Sequence, residues 1–279
     1  RALAAQVDGI DLIVGGHSHT FLHEPQKVND TWIVQAGEYA QVLGVVDLQV
    51  LDGQIEHFTS RLVQLDGASA PGVASPQVSD LVRRYDAEIR EVYDVVLSHA
   101  ATALDRDYHH QSGLGGWTTG MLREATGADV AIYNSGGLRE DIPAGPVTRR
   151  TLYQVFPFAN KVVTFELSGD ELTTLVLSNC FRELNGSSWM QISGVEVEWR
   201  ERMDSPELLS VTLEGEPVDP ERTYIIATNS YVVDQGPRLL GGLTPHNPQE
   251  LPYTVLDAAI QAAERGPIAP ARTDNYVRR

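Results

Sequence analysis

The sequence predicts a mixed α/β chain in two parts, and three observations carry that prediction. From residue 95 onward, short apolar runs of strand type alternate with segments of helical periodicity, the pattern of α/β domains. The first sixty-odd residues hold only β-rich runs, separated by glycine and polar turn residues. Between these parts, residues 67–76, GASAPGVASP, offer only small, turn-forming or weakly apolar side chains. Such a stretch cannot pack a core and reads as a linker. The division is therefore a sheet-dominated part at 1–66, a linker and connecting helix at 67–94, and a second part at 95–279.

Residues 11–14, 32–36 and 42–50 read as strands, bounded by turns such as Gly15-Gly16 and Asp52-Gly53. Val78, Leu81, Val82, Tyr85, Ile89 and Val92 recur at helical spacing with charges between them, which predicts an amphipathic helix with Ser75 or Ser79 as its cap. VVLSHAATAL follows as a strand from residue 95, then a helix near 114–125, the strand ADVAIYN, a helix near 148–154 and the strand KVVTFELS. Ser168 opens the next helix, whose first turn holds Asp170 and Glu171, as the positive end of a helix dipole favours. Strands near 192–199, 209–213 and 223–228 and a helix near 255–264 complete the series.

Charge narrows the function. With 21 Lys and Arg against 38 Asp and Glu, the 279-residue chain carries −17, which repels phosphate backbones and argues against a nucleic-acid polymer as partner. Any anionic ligand must be held by local cations. No apolar run approaches 18 residues, so no membrane span is predicted. Arg1 opens straight into RALAAQVDGIDLIVGG, a pattern typical of the middle of an α/β unit and without the features of a signal peptide; the chain is expected to be the back part of a longer one. The one cysteine, Cys180 in LTTLVLSNCF, excludes an internal disulfide and a thiolate-rich metal site and reads as a small buried hydrophobe. Nothing in the sequence sets the oligomeric state.

Three segments carry chemistry. His17 and His19 follow the apolar run Asp11–Val14 and so sit at a strand's carboxyl end, where α/β sites gather. Their spacing aims two borderline ligands at one small volume, although two histidines alone do not hold a catalytic metal. Asn134-Ser135-Gly136-Gly137-Leu138-Arg139 follows another strand. Its paired glycines let a ligand approach backbone N–H groups, and its arginine can grip an anion bidentately. In Phe156-Pro157-Phe158-Ala159-Asn160, Phe156 reads as a loop anchor, whereas Phe158 can offer a face to a base. His57, His99 and His246 have no companions and read as surface or satisfied histidines.

DLIVGGHSHTFL resembles the last metal-binding motif of the calcineurin-like metallophosphatases, in their 5'-nucleotidase branch. GADVAIYNSGGLREDIPAGPVTRRTLYQVFPFANKVVTFELSGDEL resembles the core of the 5'-nucleotidase C-terminal domain, whose usual turn is Asn-Gly-Gly-Gly-Ile-Arg. The resemblance implies the C-terminal end of a four-layer α/β/β/α metallophosphatase sandwich, followed by a separate α/β substrate-binding domain. It implies that His17 and His19 contribute to a centre of two divalent metal ions, zinc, manganese or similar, that hydrolyses nucleotide phosphate esters. The family's Asp-x-His and Gly-Asn-His-Asp/Glu segments are not in this sequence, so no catalytic residue is assigned and the fragment alone is expected to be inactive.

Small-molecule nucleotide binding falls, by the same resemblance, to Asn134, Gly136, Gly137 and Arg139, to an aromatic clamp of Phe158 and Tyr231, to Asn160 at the base edge, and to Asp234 as a loose match. An extracytoplasmic location is implied likewise. One segment departs from the pattern. Relatives often carry Arg-Glu-Ser-Asn-Leu-Gly-Asn-Leu where this chain has Arg106 to Trp117, with His110 at the arginine position and Gly113 and Gly116 in place of both asparagines. Either Arg106 substitutes, or the substrate is a different ester such as a cyclic nucleotide, a nucleotide sugar or protein-borne thiosulfate. A nucleotide-binding module without catalysis is a further alternative.

Overall fold

The computed structural model describes residues 1–65, 75–271 and 273–279; most of the expected 67–76 linker lies outside them. The chain divides into two compact units, Arg1–Val82 and Arg83–Arg279, and is a mixed α/β protein throughout.

In the first unit a short helix α1, Ala2–Gln6, precedes β1, Leu12–Val14, β2, Gln26–Val28, and β3, Thr31–Val34. These strands form one sheet with β3 in the middle, parallel to β1 and antiparallel to β2. The strand expected to reach residue 36 ends at Val34, and Ala36 makes only an isolated bridge to Phe21. β4, Val42–Leu51, and β5, Gln54–Gln64, make a long hairpin. Asp52 and Gly53 close it with φ of 51° and 79°, the left-handed pair that two-residue hairpin turns require.

α2, Pro76–Tyr93, spans the division between the units. Pro76 occupies its first position, where the missing N–H costs nothing. Ser79 falls inside the helix and caps nothing, while the Ser75 hydroxyl donates to Gln77 Oε1. No residue of α2 is buried: the apolar stripe from Val78 to Val92 is 41–60% exposed.

The second unit holds the core. Its central sheet runs β10-β7-β14-β9-β15, where β7 is Val130–Asn134, β9 Lys161–Ser168, β10 Met190–Ser193, β14 Thr223–Asn229 and β15 His246–Thr254. Both faces are covered, so β7 is apolar and buried from Val130 to Tyr133. Ala131 and Tyr133 point into one core cluster with α3, Gly113–Thr126, α4, Arg149–Val155, and α7, Val255–Glu264. Val130 and Ile132 point into the other, with α5, Gly169–Asn185, and a second sheet. That sheet runs β13-β12-β11-β16, built from β11, Glu196–Arg202, β12, Ser205–Leu213, β13, Glu216–Pro217, and β16, Tyr276–Arg278. β6, Val96–Ala100, pairs with β8, Gly145–Thr148, and α6, Ser230–Gln235, follows β14.

The single strand expected at 192–199 is two strands in two sheets. Gly194 has φ of 100°, and a Cβ there would stand 2.3 Å from the Asp129 carbonyl oxygen, so only glycine turns the chain out of one sheet and into the other. Cys180 is fully buried, as expected. Ser168 caps α5 in a reciprocal box with Glu171, and Glu171 also meets His246 Nε2 at 2.8 Å. Among the described residues no helix is long and apolar enough to cross a membrane.

Candidate functional site

Strand register brings distant segments to one end of the central sheet. β14 runs parallel to β7 and antiparallel to β9, with Asn229 opposite Val162. The carboxyl ends of β7 and β14 therefore lie beside the start of β9. Asn134 ends β7, Phe158 and Asn160 precede β9, and Tyr231 and Asp234 lie in α6 just after β14. Two bonds tie these segments together: the Asn229 amide donates to Asn134 Oδ1 at 3.1 Å, and Lys161 N–H donates to Ser230 Oγ at 3.2 Å. Asn229 Oδ1 also accepts from Val232 N–H and caps α6.

The glycine turn is a single 3₁₀ turn, Ser135–Gly137. Ser135 Oγ donates to the Trp189 carbonyl at 2.7 Å, and Arg139 N–H donates to the Val155 carbonyl at 3.0 Å. The half-buried Arg139 side chain donates through one Nη to the Gly136 carbonyl, leaving its other N–H groups unengaged among the described residues. Asn134 Nδ2 and the Asn160 side chain likewise make no bond among the described residues. Phe156 is buried at 1% exposure between Trp117 and Tyr133, whereas Phe158 is 45% and Tyr231 39% exposed. Asp234 is exposed on α6.

The departing segment, 106–112, sits against this turn. Arg106 Nη1 donates to the Arg139 carbonyl, and Arg106 N–H donates to Asp141 Oδ1 at 2.8 Å. His110 instead pairs with Asp107, and the exposed Tyr108 ring lies beside Gly136. Arg106, the candidate substitute, is thus placed next to Arg139, whereas His110 is not.

The clamp on this loop is Gln191, fully buried, which sequence reasoning missed. Its Nε2 donates to the carbonyls of Asp107 and His110 and to Ser135 Oγ, at 3.1, 2.8 and 2.8 Å, while its Oε1 accepts from Ser112 N–H at 2.9 Å. A glutamine in WMQISG looks like any strand residue; its partners lie up to 84 positions away.

Burial alone would raise the Asp107 pKa, but bonds from His109 N–H, the His110 ring and His110 N–H outweigh it and the pKa is lowered. A lowered folded-state pKa contributes stability above the ordinary value of 3.8, lost as pH falls through the lowered pKa. The Asp107 carboxyl carbon, followed by NMR, should titrate with a midpoint below 3.8. A midpoint at or above that value would mean that the loop does not hold these bonds in solution.

In the first unit the loop after β1 carries the two histidines. His17 and His19 have φ of 65° and 56°, a region that non-glycine residues enter at a cost and that concentrates at functional sites. In the orientation that satisfies both its atoms, the Gln35 amide accepts from Thr20 N–H (2.8 Å) and His19 N–H (3.2 Å). The Glu38 carboxylate meets His19 Nδ1. A carboxylate accepting from Nδ1–H leaves the Nε2 lone pair free to ligate, the arrangement that orients metal-ligating imidazoles. The donor chemistry thus fits part of a divalent-metal site, but no group of three metal-ligating side chains occurs among the described residues.

In class, the second unit is an α/β domain whose polar groups and uncovered rings gather at strand carboxyl ends, where such folds hold ligands. The family model for the 5'-nucleotidase C-terminal domain matches residues 92–239, just over half of the chain, and the chain belongs to that family of enzymes. It is 31% identical over 251 residues to the trifunctional nucleotide phosphoesterase protein YfkN of Bacillus subtilis, a match covering 82% of this chain and 17% of that one. Against protein UshA of Escherichia coli the identity is 24% over 278 residues, covering 86% and 50%. The crystal structure of a 5'-nucleotidase precursor from Thermus thermophilus superposes with a TM-score of 0.79 at 21% identity, over 99% of this chain and 61% of that one; at that identity the likeness concerns the fold. The chain spans half or less of both curated relatives.

Proposed function

We propose that this chain supplies the nucleotide-recognition domain, and two metal-ligand histidines, of a metal-dependent hydrolase of the 5'-nucleotidase type. The observation that carries this reading is the gathering of two uncovered aromatic rings, Phe158 and Tyr231, with Arg139 and Asn134 at one sheet end. Aromatic faces stack on any nucleobase. The Asn160 amide is free to address the base edge and the Asp234 carboxylate to accept from a sugar hydroxyl. The free N–H groups of Arg139 suit a phosphate oxygen, and Gly136 and Gly137 let the ligand come close to the backbone.

His17 and His19 would hold a divalent metal in this reading, completed by donors from elsewhere in the whole enzyme. When bound, such metals lower the pKa of water and neutralise phosphate charge. The same family resemblance supports an extracytoplasmic location for the whole enzyme.

Calorimetric titration of the 279-residue chain with adenosine, AMP and UDP-glucose, without metal, tests the recognition half. Adenosine or AMP should bind. Silence from all three ligands would reduce the assignment to family membership.

A further inference from the structure

Tyr133 is the last residue of β7 before Asn134, and its two ends live in different surroundings. The residue is 1% exposed, with its ring in the core and edge-on to Phe156 at 6.1 Å. The hydroxyl makes no hydrogen bond among the described residues. Nor is it one of the sealed, partnerless polar atoms of the interior, which include Thr228 Oγ1 and Trp199 Nε1; the oxygen keeps an opening. The hydroxyl lies against the glycine turn. A Cβ on Gly137 would stand 2.7 Å from Tyr133 Cε1 and 3.1 Å from the hydroxyl, so the ring packs directly on the backbone of the turn and position 137 tolerates no side chain.

A phenylalanine would fill the same core space, and buried tyrosine hydroxyls usually find a partner. Burial pushes the hydroxyl pKa well up, so the group stays a neutral O–H donor at any physiological pH. We propose that the Tyr133 hydroxyl is a further ligand-binding group, donating to a neutral sugar oxygen of a nucleoside seated on the Ser135–Arg139 turn. This rests on the nucleotide reading above. Arg139, on the same turn, carries the charge and suits the anionic part; a neutral donor beside it suits the ribose, whose oxygens are uncharged.

The test is Tyr133→Phe in the full chain, with Phe158→Ala as the control that reports the site. Adenosine and AMP should both bind Tyr133→Phe about tenfold more weakly, equal to about 1.4 kcal/mol, while Tm stays the same or rises because no internal bond is lost. Unchanged affinity for Tyr133→Phe, alongside weakened binding by Phe158→Ala, overturns the proposal and leaves the nucleotide reading intact. A fall in Tm with no change in affinity overturns it too, showing a structural hydroxyl. Weakening confined to AMP overturns the assignment to the sugar. No binding of adenosine or AMP by the wild-type chain overturns both readings together.

Discussion

Replacing Gln191 with leucine should remove about 3–4 kcal/mol of stability, although the side chain keeps nearly the same volume. The reason lies in what the amide leaves behind. Ser112 N–H and the Ser135 hydroxyl lose a partner at buried positions, and the carbonyls of Asp107 and His110 lose one at part-buried positions. Each buried group left unsatisfied costs about 1–3 kcal/mol, less where water enters or a neighbour shifts. Urea unfolding of wild type and variant, with unchanged m-values, would measure it. A loss below about 1 kcal/mol would show that the loop is not held by this amide. The neighbourhood offers little room for rearrangement: a Cβ on Gly115 would stand 1.8 Å from Gln191 Oε1.

Phe158→Ala should leave stability within about 0.5 kcal/mol, as expected of a side chain that is 45% exposed. Its effect belongs to binding. Loss of one stacking face should weaken adenosine and AMP alike by about 1–3 kcal/mol, or roughly 5- to 150-fold in Kd, read by calorimetry. Arg139→Ala should separate from it by weakening AMP and sparing adenosine, since only AMP carries the anion. If Phe158→Ala leaves both affinities unchanged, the ring is not a base platform, whatever its exposure.

Much of this architecture was legible because its signals are local. The helix at 255–264 and the strand at 161–168 show clear apolar periodicity and polar caps, and both stand where the pattern put them. β15 was not legible: HNPQELPYT holds two prolines and few apolar residues, and it forms a strand only by lying at the edge of an existing sheet. β5, β8 and β16 likewise owe their state to partners rather than propensity. At the site, the glycine turn and the aromatic after proline could be read from sequence, since backbone chemistry marks them. The roles of Gln191 and Tyr133 could not, because each depends on contacts made across the fold.

The parallel pairing of β14 with β7 joins residues nearly a hundred positions apart. Such contacts close late in folding, since long loops must be ordered before any bond is gained. The candidate cradle, with walls from 134–139, 158–160 and 229–234, has no earlier form: a chain that has not yet docked β14 lacks one of its rings. Ligand affinity would then report that assembly is finished. A nucleoside held at a hundred times its Kd would add about 2.7 kcal/mol to the completed state alone, so the ligand would act as a late-stage folding adjuvant and lengthen the lifetime of the chain that binds it.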